Sequence, residues 1–132
     1  MAEMQVLSNM KRRIEKLVGE VKEVQNDLAN SVNTMNNLQS QLTENKLVKD
    51  ELDNLEQGAK IFKLVGPVLI PQQADEAKST VNTRIEYISK EVKNAKERAQ
   101  KVEKEQQQRR VTLLTEQQKF QALVQQVSAQ KQ

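Results

Sequence analysis

The sequence predicts a mainly α protein: two long helices folded back on one another as an intramolecular antiparallel coiled coil, joined by a short β-hairpin. Three observations carry that expectation. Apolar residues recur in alternating steps of three and four along both halves of the chain. The large side chains that fill a compact interior are nearly missing, with two Phe, one Tyr and no Trp in 132 residues. One stretch near the middle, "AKIFKLVGPVLIPQQA" from Ala59 to Ala74, is apolar, β-branched and broken by Gly66-Pro67, unlike the polar, helix-forming sequence on either side.

The first arm is expected over 1–57. Leu7, Met10, Ile14, Leu17, Val21, Val24, Leu28, Ser31, Met35, Leu38 and Leu42 form an a/d seam. Such a seam imposes a left-handed supercoil with a partner helix. Beyond Leu42 the rhythm continues through Asn45, Val48, Leu52 and Leu55 only if one step is shortened, a stammer that overwinds the pair locally. Gly58 is expected to close this helix as a C-terminal cap.

The second arm is expected over 74–132. It opens on Ala74-Asp75-Glu76, an acidic first turn suited to the positive end of the helix dipole. Val81, Ile85, Ile88, Val92, Ala95, Ala99, Val102, Gln106, Arg109, Leu113, Glu116, Phe120, Leu123 and Val127 keep the same rhythm. Arms of matched length pair with each other when residue numbers add to about 134, which sets Leu52 by Val81, Leu42 by Val92, Val21 by Leu113 and Ile14 by Phe120. Ser31, Gln106, Arg109 and Glu116 put polar groups on this seam. They either fix register at a cost in stability or snorkel to water, and snorkelling is the expected behaviour.

The connector over 58–73 reads as a hairpin. Ile61, Phe62, Leu64 and Val65 precede the Gly66-Pro67 break, and Val68, Leu69 and Ile70 follow it. Gly66 supplies the positive φ of a tight turn, and Pro67 fixes its own φ. A lone two-stranded hairpin is marginal in water. This one is expected to be apolar on both faces while the arms use their apolar residues on each other. Its strands are therefore expected to add to strands of other chains, with Pro71 marking the end of the ladder or a position facing away from it. The plainer alternative is an apolar loop between helices.

Several function classes are excluded or disfavoured. Without Cys or His there are no disulfides, thiolate nucleophiles or imidazole bases, and almost no zinc chemistry. No metal or organic cofactor is expected, and no phosphate-cradling glycine loop exists among Gly19, Gly58 and Gly66. The carboxylates have no cleft to perturb them, so an enzyme is not expected. The beginning, "MAEMQVLSNMKRR", has no apolar core of a signal peptide, and no run is long enough to span a membrane. The net charge of +3 is mixed in sign along the chain. Lys11-Arg12-Arg13 and Lys90, Lys93, Lys96, Arg98, Lys101 and Lys104 are interleaved with acids and lack stacking aromatics, which argues against nucleic acid.

One segment is distinctive beyond its periodicity. "QLTENKLVKDELDNLEQGAKIFKLVGPVLI", Gln41 to Ile70, with "LTEN" followed by "VKDEL" and "FKLVGPVL", resembles the β-type subunits of the prefoldin family. The single hairpin places it with the β-type rather than the α-type. Pro71, where a polar residue such as Lys would be expected, is a small departure. The resemblance implies a cytoplasmic heterohexameric co-chaperone of two α-type and four β-type subunits, whose hairpins build a double β-barrel platform carrying six coiled coils. It implies that the arm tips hold unfolded proteins, chiefly actin and tubulin in eukaryotes, and pass them to the cytosolic chaperonin without ATP.

On that reading, Ile61, Phe62, Leu64, Val65, Gly66, Pro67, Val68, Leu69 and Ile70 serve hexamer assembly. Met1, Met4, Val6, Leu7 and Met10, with Leu123, Val124 and Val127, form the client-binding tip, where flexible, polarizable Met suits varied apolar surfaces. The plainer reading makes the tip residues terminal layers of the coiled coil. A generic coiled-coil scaffold or tether is the alternative function.

Overall fold

The computed structural model describes residues 2–130. Helix α1 spans Ala2–Asp53, strand β1 Ile61–Val65, strand β2 Val68–Gln72 and helix α2 Ala74–Gln130. The helix–hairpin–helix order is the one the sequence predicts.

The end of α1 differs from expectation. It stops at Asp53, not at Gln57, and its last turn closes through Asn54 N–H donating to the Asp50 carbonyl (3.1 Å). Asp53 and Asn54 are the cause in sequence: short polar side chains compete for backbone groups and weaken a helix where nothing packs on it. Gly58 is consequently not the helix cap. It lies third in a four-residue turn closed by Ala59 N–H to the Glu56 carbonyl (3.1 Å), with φ +87°. A positive φ at that place is the mark of a type II turn, which favours glycine. At the other end of the connector, Ala77 N–H donates to the Gln73 carbonyl (3.1 Å), so Gln73 is the N-cap of α2 and Asp75 and Glu76 occupy its first turn.

The chain divides into two compact units, one of residues up to Val32 and from Arg98, the other Asn33–Glu97. In the first, Leu17, Val21 and Val24 of α1 and Ala99 and Val127 of α2 are buried. Ile14, Leu28, Val102, Leu113 and Phe120 are half-buried along the same seam. In the second, Leu42 packs with Ile88 and Val92, flanked by Leu38 and Ile85. Ala77 and Val81 are also buried there. No side chain among the described residues is wholly enclosed, as expected of a seam between only two helices.

The stammer expected after Leu42 does not occur. Val48 is 43% exposed and Leu55 lies beyond the helix, whereas Asn45 and Leu52 are half-buried. The three-four count passes evenly from Leu42 through Asn45 and Lys49 to Leu52, at the cost of one charged residue that points to water.

In the first unit two of the polar seam residues, Arg109 and Glu116, each reach sideways to a charge on the opposite helix and to another on their own. Arg109 meets Glu20 at 2.6 Å and Glu105 at 3.5 Å, while Glu116 meets Arg13 at 3.6 Å and Lys119 at 4.0 Å. Both cross-helix pairs have residue numbers adding to 129, about one helical turn from the expected 134.

These partly exposed pairs set register more than stability. A double-mutant cycle on Glu20→Ala and Arg109→Ala is expected to return a coupling of about 0.5–1 kcal/mol. It should shrink as salt is raised, because exposed charges are screened. Thermal unfolding in low and high salt checks this, and a salt-independent coupling would contradict it.

Candidate functional site: the exposed hairpin

β1 and β2 pair antiparallel, Val65 opposite Val68, Leu64 opposite Leu69, Lys63 opposite Ile70, Phe62 opposite Pro71 and Ile61 opposite Gln72. The loop is just Gly66-Pro67. Gly66 has φ +58°, and among the described residues none other than glycine has positive φ, so the two central residues follow the type II′ pattern. That turn matches the right-handed twist of the flanking strands. Gly66 is required because a side chain disfavours this φ, and Pro67 fits the second position because its φ is negative.

The register decides which side chains share a face. Cross-strand partners lie on the same side of a sheet and neighbours along a strand on opposite sides. One face therefore carries Phe62, Leu64, Leu69 and Pro71, all apolar and all exposed. Leu64 is 68% exposed and Leu69 62%. The other face carries Ile61, Val65, Val68 and Ile70 together with Lys63 and Gln72. Both faces were expected to be apolar; the second is mixed, because Lys63 and Gln72 fall on it. A continuous exposed apolar face on an element with two free edges marks an interaction surface.

Periodicity also missed exposed apolar residues on the helices and the connector. Leu47, Val48, Leu55 and Tyr87, all in the hairpin-bearing unit, are exposed. Val48 and Leu55 had been counted into the seam, and the adjacent Leu47-Val48 pair was the available signal, since two consecutive apolar residues cannot both face one helix partner.

The chain-terminal residues divide. Met4 is 62% exposed, and Val6 and Val124 are also exposed. Leu7, Met10 and Leu123 are half-buried, and Val127 is 9% exposed, packed as a layer of the seam. Met1 lies outside the described residues. Beside these layers, Ile14, Leu114 and Phe120 line a shallow apolar groove with a rim of Lys11, Glu15, Gln117, Gln118 and Gln121. Leu114 and its neighbour Val111 are exposed and were not singled out from sequence.

No group of three or more acidic residues among the described residues is placed to hold a metal ion. No described helix is long and apolar enough to cross a membrane.

Comparison with known proteins agrees with the hairpin geometry. Residues 15–121 match the family model described as Prefoldin subunit. The chain is 42% identical over 109 residues to prefoldin subunit 6 of Mus musculus, covering 80% of this chain and 86% of that protein. It is 38% identical over 117 residues to prefoldin subunit 6 of Arabidopsis thaliana, covering 78% and 91%. The crystal structure of the prefoldin beta subunit from Thermococcus strain KS-1 superposes with a TM-score of 0.73 at 20% identity, over 78% of this chain and 90% of that one, and shares its fold. With a family match over most of its length and relatives of this identity, the chain belongs to the prefoldin family.

Proposed function

We propose that the chain is one subunit of a cytoplasmic heterohexameric prefoldin co-chaperone, assembled with other α- and β-type prefoldin subunits. The observation that supports this reading most strongly is the exposed face of Phe62, Leu64, Leu69 and Pro71, on a hairpin that no other described residue covers. Two strands alone bury too little to be stable, so strands from neighbouring subunits complete the sheet into a barrel. Ile61, Val65, Val68 and Ile70, with the Gly66-Pro67 turn, complete the assembly element.

The complex captures unfolded proteins, actin and tubulin among them in eukaryotes, and delivers them to the cytosolic chaperonin. Capture is assigned to the terminal turns, where Met4, Val6 and Val124 are exposed beside Leu7, Met10 and Leu123. One such end offers little area and binds weakly. Several ends on one platform raise the effective concentration and multiply affinity by roughly 10²–10⁴ without new contacts. Weak individual grips also permit stepwise release, with no nucleotide needed. Prefoldin subunits are chaperone components and not enzymes.

The test is the native mass and composition of the complex that a tagged copy recovers from a eukaryotic cytosolic lysate. A single particle holding six prefoldin-family chains is expected. A homodimer or a monomer would overturn the reading and favour a scaffold or tether.

A further inference from the structure

The two flanks of the terminal helix pair differ in chemistry. Arg13 precedes the seam residue Ile14 and Lys11 follows the seam residue Met10, so they lie on opposite sides of the seam, at g-type and e-type positions. The Arg13 flank is charged. Arg13 meets Glu116 at 3.6 Å, and Glu20, one heptad on from Arg13, meets Arg109 at 2.6 Å. The Lys11 flank is apolar. Ile14, Leu114 and Phe120 form the floor of its groove, and Gln117, Gln118 and Gln121 stand along its rim. Met4 lies one heptad before Lys11, and Val124 one heptad after Gln117. Residues spaced in this way share a helix flank, so the exposed Met4 and Val124 carry the apolar strip on towards the chain ends.

We infer that this groove takes an extended, apolar stretch of non-native polypeptide, held by side-chain contact with Ile14, Leu114 and Phe120 and by hydrogen bonds from the rim amides to its backbone. The inference rests on the capture reading above, to which it adds one flank of the helix pair and one ligand conformation. The rim chemistry selects the occupant. Lys11 and Glu15 are opposite in sign and the other rim residues are neutral, so no net charge favours a charged ligand. A glutamine amide carries both donors and an acceptor. A helical ligand has already paired its backbone groups and offers the groove side chains alone. An extended segment brings unpaired N–H and C=O groups, while its alternate side chains point to one side. An apolar floor beneath an amide rim complements both features and reads no particular sequence.

The test uses the complex recovered with the full-length chain and three benzophenone-bearing probes: an apolar peptide rich in β-branched residues, the same peptide N-methylated at alternate residues, and a stapled helical peptide of like composition. Photo-cross-linking to this chain is followed against probe concentration, and the linked residues are mapped by mass spectrometry. The unmodified extended peptide is expected to half-saturate at a concentration at least about fivefold below that of either other probe, with links on the Lys11 flank and not beside Arg13 and Glu20. The double variant Gln117→Leu with Gln121→Leu enlarges the apolar surface and removes the amides. It is expected to weaken the extended peptide by at least about fivefold while holding the N-methylated one as well as the parent does, which also shows that the variant is folded. Leu114→Ser, at an exposed position, is expected to weaken all three. Equal or tighter binding of the helical probe, links on the charged flank, or a glutamine-to-leucine variant that binds the extended peptide as well as the parent would overturn the inference. So would a complex that holds unfolded actin yet links none of the probes to this chain. A complex that neither links a probe nor holds actin sinks the capture reading itself.

Discussion

Replacing Phe62 and Leu64 together with lysine is expected to remove the chain from its complex while leaving the helices formed. Both residues belong to the exposed apolar face of the hairpin, and their partners across the strand, Pro71 and Leu69, offer no opposite charge. Burying a Phe or Leu side chain contributes about 1.5–3 kcal/mol each, so the two substitutions forgo roughly 3–6 kcal/mol of assembly energy. The lysines add the cost of taking unpaired charges from water into an apolar enclosure. Loss of incorporation by at least about 100-fold follows from the burial term alone, since about 1.4 kcal/mol is a factor of ten. The opposite face gives the control, because it already carries Lys63 and Gln72. Val65→Lys is expected to be much milder. Co-purification with the partner subunits measures both, and full incorporation of the double lysine variant would refute a buried role for this face.

The contrast between the two faces also shows what could be read from the chain alone. The three-four rhythm specified two helices because it reports a buried stripe, and Gly66-Pro67 between apolar runs specified the turn because few residues adopt its dihedrals. Which side chains share a hairpin face depends on register, and a shift of one residue moves every side chain to the other side. Treating the stretch as uniformly apolar hid the fact that Lys63 and Gln72 fall together. The end of α1 was misjudged for a related reason. Periodicity continues past a helix wherever apolar residues happen to keep step, as Leu55 does, while Asp53-Asn54 weakens the helix itself. The cross-helix partners of Arg109 and Glu116 were not foreseen either, because the pairing was set by matching apolar positions and carried no information on the charges beside them. Sequence had identified both as polar residues on a seam, but only the register shows Glu20 and Arg13 beside them.

Serine at Met4, Val6 and Val124 is expected to weaken the holding of chemically unfolded actin by about tenfold without altering assembly. The three side chains are exposed, so their removal leaves the helix pair almost as stable as before. Val127→Ser acts differently. Val127 is packed in the seam, and the substitution trades a buried apolar group for a hydroxyl, costing about 1–2 kcal/mol of local stability. Fraying produced in this way would expose Leu7 and Leu123, which are half-buried in the parent. The two variants therefore separate the two readings of the terminal residues. If exposed side chains do the gripping, the triple serine variant loses holding and Val127→Ser keeps or gains it. If the residues serve only as closing layers of the coiled coil, Val127→Ser lowers the thermal midpoint while the triple variant suppresses aggregation as well as the parent. Light scattering of diluted unfolded actin, with native mass as the assembly control, distinguishes the cases. On the proposed assembly the expected loss is limited by multivalency: the remaining subunits would still hold the client, and one end would remove only its own share of the effective concentration.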